Sequence, residues 1–407
     1  YIIMKSLFGY ANTTKAIARS GGWAIYDDKF ERISSDEWGN LLLPSSHFKA
    51  EKSQLEIPSP GFAPSHELIL KARNLISEYD YFFDMGMPKS VWISGTNGKT
   101  TTTKMCEHLL RLHGAFMGGN VGIALADLPR AARLWILETS SFTIHYTKRA
   151  RPDIYALLPI TPDHLSWHGD MNGYENAKLK PLSMMNEQCI AIIPACFKER
   201  EIVRNSRAKI YFYSSEQDLA DTFGLECDKI AFRVPFLMDA LFALAVQKIL
   251  LGQADYERVN TFVIENNKLE ELRDNRGRLW VNDTKATNID ASMQAIRRYE
   301  NEKIFIILGG DDKGVDLSPV FDALSVLKQE PKIYAIGSNT EKIVNLARNS
   351  RISCLACYEL KEAIKAIDTD FSCSGVALLS PACASLDQFK SYAQRGDIFK
   401  EEIANLK

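Results

Sequence analysis

Short apolar runs, each broken by a loop of glycine or small polar residues and followed by a helix-periodic stretch, recur along the chain. Val91, Trp92 and Ile93 give way to Gly95-Thr96-Asn97-Gly98-Lys99-Thr100, then to the helical pattern of KMCEHLLRLHG. Ahead of them, SLFGY and WAIYDD flank the helix-like TTKAIARSGG, a β-α-β opening. YDYFFDM reads as a short buried strand, and Met87-Pro88 as a linker. LWILE and IYALLPI are apolar runs ending in polar residues, and CIAIIPA and KIYFYS are further strand candidates. FLMDALFALAVQKILLG is a helix apolar enough to pack on a sheet. From residue 268, RLWVNDTKATN, KIFIILGGDDKG, KIYAIGSNTEKIVNL and GVALLSPACASLDQF repeat strand, loop and helix, with one helix placed to start near Asn288 or Asp290. Such alternation builds doubly wound parallel sheets. The expected fold class is α/β, divided into segments 1–88, 89–267 and 268–407.

Composition narrows the picture without changing it. At about 150 residues per domain, 407 residues suit two or three domains. A net charge of −2 with no run of basic residues argues against nucleic acid. No apolar stretch approaches the ~18 residues that span a bilayer. Met4 is read as the natural start, and the residues ahead of it are too few for a signal peptide. Eight scattered cysteines are too sparse for a disulfide scaffold, so buried, reduced thiols in a cytoplasmic protein are expected. Cys354 and Cys357 form a lone CxxC, read as core packing.

Candidate chemistry gathers where apolar runs end. A glycine loop between strand and helix turns backbone N–H groups around phosphate oxygens at the positive end of a helix dipole. Lys99 would set a cation on the terminal phosphates, and the Thr100 hydroxyl would ligate Mg²⁺. The longer phosphate-loop pattern has a glycine where Ile93 stands, leaving the shorter GxxGKT. Glu138, at the end of LWILE, sits where open α/β sheets bind ligands, and beside a nucleotide loop its natural task is Mg²⁺. Asp163 and His164 end the next run and are placed at the same edge. The pair Gly118-Gly119 suggests a tight turn presenting Asn120. Lys178, in the helical GYENAKLKPL, is by pattern alone a surface lysine. Asp27 and Asp28 end the second strand, equally fit for a ribose or base edge and for solvent. Only Gly9 follows the first strand, so dinucleotide binding is weak there. Ser59, Pro60 and Gly61 form a loop before a helix with Ser65 as its expected N-cap.

Together GTNGKTTT, GGNVG, LETSSF, ITPDHLSWHG, ENAKLKPL, VNDTKATN, LGGDDKG and LLSPACASLDQFKSYAQRGDIF run in one order from residue 91 to 399. In this order they resemble the Mur ligase family, most of all its D-glutamate-adding members. The resemblance implies a Rossmann-like N-terminal domain holding a UDP-sugar, a central P-loop-type ATPase domain and a Rossmann-like C-terminal domain holding the incoming amino acid. It implies that the carboxylate of UDP-N-acetylmuramoyl-L-alanine takes the γ-phosphate of ATP, and that D-glutamate displaces phosphate to leave an amide, in a cytoplasmic monomer. It places ATP on Gly95, Thr96, Asn97, Gly98, Lys99, Thr100 and Thr101. Two Mg²⁺ sites are implied, one on Thr100 and Glu138, the other on His164 and a CO₂-carbamylated Lys178. Asn120 and Ser140 would contact the muramoyl-alanine. Asn12, Thr13, Asp27, Asp28 and Gly61 are candidates for the UDP-sugar. Lys285, Asn288, Asp311 and Lys313 would face the nucleotide. Ser385, Leu386 and Lys342 would bind D-glutamate, with Tyr392 against it. Where the family usually has His-Asn-x-x-Asn, this chain has Pro235-Phe236-Leu237-Met238-Asp239, leaving Asp239 to accept from the adenine amine. No Asp-Asn-Pro-Arg stretch points to the diaminopimelate- or lysine-adding members. A P-loop kinase or motor would leave VNDTKATN and SPACASLDQF unexplained.

Overall fold

The computed structural model describes residues 3–371 and 374–406. They form two compact units, Tyr1–Ile160 with Trp167–Phe262, and Thr161–Ser166 with Val263–Lys407. The first unit carries two sheets. One contains β1 (Met4–Phe8), β2 (Trp23–Asp27), β3 (Ser34–Ser35), β4 (Leu41–Pro44) and β5 (Ser53–Pro58), in the order β3-β4-β2-β1-β5. The other contains β6 (Ser90–Ser94), β7 (Ala115–Gly119), β8 (Leu134–Glu138), β9 (Ile154–Leu157), β10 (Ile190–Pro194) and β11 (Lys209–Tyr213). Its order is β11-β10-β9-β6-β8-β7, with every pair parallel.

β6 lies in the middle of that sheet, where Val91, Trp92 and Ile93 are fully buried. A strand covered on both faces needs a continuous apolar run, which is why this one reads so clearly. Register then sets the chemistry. Ile93 pairs with Glu138 on one side and Ala156 on the other, and Gly119 pairs with Glu138. Three loops therefore leave one sheet edge side by side. The strand order reverses between β6 and β9, the switch point at which such sheets bind ligands.

YDYFFDM is helical, not a strand: Glu78–Asp84 forms a helix. Ser77 Oγ accepts from Asp80 N at 3.1 Å and Asp80 Oδ2 accepts from Ser77 N at 3.3 Å, a capping box that outweighs the strand preference of the aromatics. Its rings join the two sheets into one core: Tyr81 lies edge-on to Trp23, Tyr79 to Trp92 and Phe82 to Trp135. The next cap shifts by one residue, since His66, not Ser65, precedes Glu67–Lys71 and accepts from Leu68 N. Phe236–Leu251 is buried nearly all round; it packs chiefly on the helix Lys99–Leu110 and also touches the sheet, with Phe242 edge-on to Tyr213 of β11.

The second unit has one sheet, of β12 (Glu270–Arg273), β13 (Leu279–Asn282), β14 (Ile304–Gly309), β15 (Lys332–Ile336), β16 (Ser353–Tyr358) and β17 (Val376–Leu379). Its order is β12-β13-β17-β14-β15-β16, parallel except for the edge pair β12-β13. Both edge strands escaped the sequence reading because, apart from the buried Cys357, their residues alternate between half-buried and exposed.

The thiols are only partly buried as a set. Cys106, Cys189, Cys357 and Cys383 are buried, but Cys196 is exposed and Cys227 and Cys354 are half-buried. Cys196 falls in a turn just past β10 and faces outward. Cys373 lies outside the described residues. No helix among the described residues is long and apolar enough to cross a membrane.

Candidate active site

The two loop glycines are there for space as well as conformation. Gly95 has φ of 137°, and a Cβ on it would sit 2.5 Å from Leu158 Cβ. Gly98 has φ of 86° and caps Lys99–Leu110 without a side chain, which leaves the helix's first N–H groups to an incoming anion. Lys99 Nζ folds back on the loop, donating to Gly95 O at 3.1 Å and Thr96 O at 2.8 Å.

Glu138 is 3% exposed. Its Oε2 accepts from Thr100 Oγ1 at 2.9 Å, and its Oε1 from Asn120 Nδ2 at 3.2 Å. The backbone is held as firmly. Asn120 N donates to Glu138 O at 2.8 Å, and Tyr79 Oη donates to the same carbonyl at 3.3 Å. Octahedral Mg²⁺, with oxygens at about 2.0–2.1 Å, needs neighbouring ligand oxygens about 2.9 Å apart. The Thr100–Glu138 oxygen pair has that spacing, so these residues fit the ion. Among the described residues no group of three or more His, Cys, Asp and Glu converges on a metal position. Mg²⁺ commonly makes do with one or two protein oxygens plus substrate phosphates and water.

Lys178 is not on the surface. It lies 1% exposed on the helix Met171–Leu179. Its Nζ donates to Ser94 Oγ at 3.1 Å and Gly95 O at 2.9 Å, directly under the glycine loop. Tyr174, one turn earlier, places its ring 5.1 Å from Nζ and its hydroxyl 3.0 Å from Thr96 Oγ1. Sequence reasoning missed Tyr174, although four residues' separation puts it on the same helix face as Lys178. Ser140 caps the helix Ser141–Tyr146, accepting from Thr143 N at 3.1 Å.

Asp239 does not reach outward for a base. It is 2% exposed, and its Oδ1 accepts from Thr102 Oγ1 at 2.9 Å. The side chain expected to accept from the adenine amine meets the phosphate-loop helix.

In the first sheet, Asp27 is a turn-holding residue, accepting from Tyr10 N at 2.7 Å and Lys29 N at 3.0 Å. Asp28 is exposed and pairs with His66 at 2.9 Å. Asn12 and Thr13 open the helix Asn12–Ala18, and Gly61 is exposed.

The second unit has its own cluster. His164 has φ of 52° and a side chain 40% exposed, in a segment that packs with this unit and not with β9, which precedes it. His164 and Lys178 thus fall in different units, and neither unit alone contains both. Asp163 meets Lys313 Nζ at 3.5 Å and Asn288 Nδ2 at 3.4 Å. Asn288 caps Ile289–Arg298, accepting from Ala291 N, and Lys285 pairs with Glu265 at 2.7 Å. Asp311 and Ala384 exchange backbone hydrogen bonds, tying the GGDDK and SPACAS loops together. Lys342 pairs with Asp312 at 2.8 Å, so its ammonium already has an anionic partner. Ser385 is buried, while Leu386 and Tyr392 are exposed. Asp283 was missed: its buried carboxyl, raised to about 7 by burial, accepts from Ser380 Oγ at 2.7 Å and fixes the start of the Lys285 loop. Arg395 was missed too. Burial lowers its guanidinium to about 10 while it donates to Thr284 Oγ1 and O and to Cys383 O.

The Mur ligase middle domain model matches residues 93–238. A UDP-N-acetylmuramoylalanine–D-glutamate ligase of Campylobacter jejuni is 55% identical over 97% of this chain and 98% of its own. One from Helicobacter pylori is 44% identical over the same shares. Among solved structures, MurF ligase of Thermotoga maritima in complex with ADP superposes with a TM-score of 0.62 at 15% identity, covering 99% of this chain and 95% of that one. MurC of the same organism gives 0.55 at 17%, covering 98% of each. At these identities the two structures speak to fold alone. The two ligases, matched over nearly their whole length, place this chain in the Mur ligase family, among the UDP-N-acetylmuramoylalanine–D-glutamate ligases.

Proposed function

We propose that the protein joins D-glutamate to UDP-N-acetylmuramoyl-L-alanine at the expense of ATP, in the cytoplasm and as a monomer. Near-full-length identity to ligases bearing that name supports the substrates. The observation that carries the chemistry is the glycine loop leaving the sheet beside Glu138, with Thr100 and Glu138 sharing a hydrogen bond. We assign residues 1–88 to the UDP-sugar, with Asn12, Thr13, Asp28 and Gly61 as contacts, 89–267 to ATP and 268–407 to the amino acid.

The substrate carboxylate attacks the γ-phosphorus, and ADP leaves with the bridging oxygen's electrons. The D-glutamate amine attacks the resulting acyl phosphate carbon. The tetrahedral intermediate expels phosphate and the nitrogen loses a proton, leaving the amide. Lys99 and the amides of Gly95 to Thr101 neutralise charge that gathers on the phosphate oxygens. Thr100 and Glu138 would hold Mg²⁺, which supplies positive charge to those oxygens. Asn120 fixes Glu138 and, with Ser140, lies where the muramoyl-alanine would bind. Lys178 as a carbamate would bring a second anion under the loop, beside Ser94 Oγ, which accepts from the Lys178 amine and donates to Thr139 O. His164 would serve the same second ion. Lys285, Asn288, Asp311 and Lys313 are assigned to the nucleotide, and Ser385, Leu386, Lys342 and Tyr392 to D-glutamate.

Phosphate release from Mg-ATP in the presence of UDP-N-acetylmuramoyl-L-alanine tests this reading. D-glutamate should stimulate it far above L-glutamate, lysine or no amino acid. Equal release in all four refutes the assignment.

A further inference from the structure

The helix Phe236–Leu251 sends one charged side chain into the base of the phosphate loop. Asp239 Oδ1 takes the Thr102 hydroxyl hydrogen at 2.9 Å, with Thr102 fully buried and Asp239 2% exposed. The same oxygen lies against the face of Gly98: a Cβ built there would be 2.4 Å from it. Gly98 is the left-handed residue that turns the loop into its helix, and its carbonyl accepts the helix's early bond from Thr102 N at 2.8 Å. One carboxylate oxygen thus touches both ends of that first turn. Burying a carboxylate is costly, and an apolar side chain would fill the same space without the cost. What the carboxylate adds is an acceptor for the Thr102 hydroxyl and a negative charge at a helix N-terminus, where the dipole favours it.

We propose that Asp239 is a positioning residue for the nucleotide. It holds Gly98 and the first turn of Lys99–Leu110 in the shape that points the loop amides at phosphate. A preformed loop loses less conformational freedom on binding, so affinity is where the effect appears. The inference rests on the nucleotide assignment above.

Calorimetric titration of the full-length protein with Mg-ATP, alongside thermal melting, tests it. Asp239→Ala should weaken binding by about tenfold, the scale of one hydrogen bond to a charged group. Asp239→Asn keeps an acceptor for Thr102 without the charge and should recover part of that loss. Thr102→Val removes the donor and keeps the shape, so it should weaken binding as Asp239→Ala does. The double variant should be no worse than either single one, because both remove the same contact. Wild-type affinity in both Thr102→Val and Asp239→Ala would overturn the proposal, as would losses that simply multiply in the double variant. A wild-type protein that does not bind Mg-ATP would refute the nucleotide assignment itself, an outcome distinct from these.

Discussion

Thr100 and Glu138 share a hydrogen bond of 2.9 Å between the first turn of one helix and the last residue of β8. Parallel register creates it, because Ile93 of β6 and Glu138 are neighbours across the sheet and the glycine loop begins two residues after Ile93. Glu138→Gln keeps the shape and removes the charge. It should lower kcat by at least ~10², the scale of losing one preorganised electrostatic contact, with the melting temperature little changed. Steady-state kinetics at saturating Mg²⁺ measures this. Wild-type turnover would remove Glu138 from the chemistry.

Lys178 gives a second, chemically distinct expectation. Its amine sits beneath the loop at 2.9 Å from Gly95 O. Lys178→Ala should abolish ligation, and added short carboxylic acids should restore part of it by supplying the missing anion. Full activity without any added acid would exclude the carbamate. Inactivity that no acid relieves would point to the ammonium, not a carbamate, as the working form.

Much of this was legible in the chain. Buried parallel strands are continuous apolar runs, so the central strands of both large sheets could be read directly. The phosphate loop could be read because Gly95 and Gly98 answer local backbone demands. Other features depend on partners far away in sequence. Lys178 looks like a surface residue because Ser94 and Gly95, which bury it, lie 84 and 83 residues earlier. Asp239 meets Thr102 across 137 residues. The helix Glu78–Asp84 reads as a strand because four aromatics mask its capping box. His164 follows β9 in sequence but packs with the other unit, which no local pattern foretells.

Gly95 supplies a test of the loop's backbone. A Cβ there would lie 2.5 Å from Leu158 Cβ and 3.1 Å from its Cα, at φ of 137°. Gly95→Ala should therefore lower the melting temperature and weaken Mg-ATP binding together, with a stability loss on the order of 1–3 kcal/mol. Trimming Leu158 to alanine should not rescue it, because the obstruction is Leu158's own Cβ and backbone. Rescue by Leu158→Ala would show that the loop yields more readily than this packing implies.

Glu78 sets a pH dependence on folding. It begins the helix Glu78–Asp84, its Oε2 has no hydrogen-bond partner, and burial raises its carboxyl from 4.5 to about 8. The folded protein keeps this proton up to about pH 8, whereas the unfolded chain releases it near 4.5. Between those values the folded state binds more protons, so this group makes stability fall as pH rises, and the fall ends above about pH 8. Glu78→Gln removes the titration while keeping size and polarity. Its melting temperature should exceed that of the wild type at pH 8–9, by an amount reflecting a few kcal/mol at most, and the two should converge as the pH drops toward 4.5. Denaturant melts of both proteins across pH 5–9 measure the gap. A gap that is constant with pH would show that Glu78 is already ionised in the folded protein.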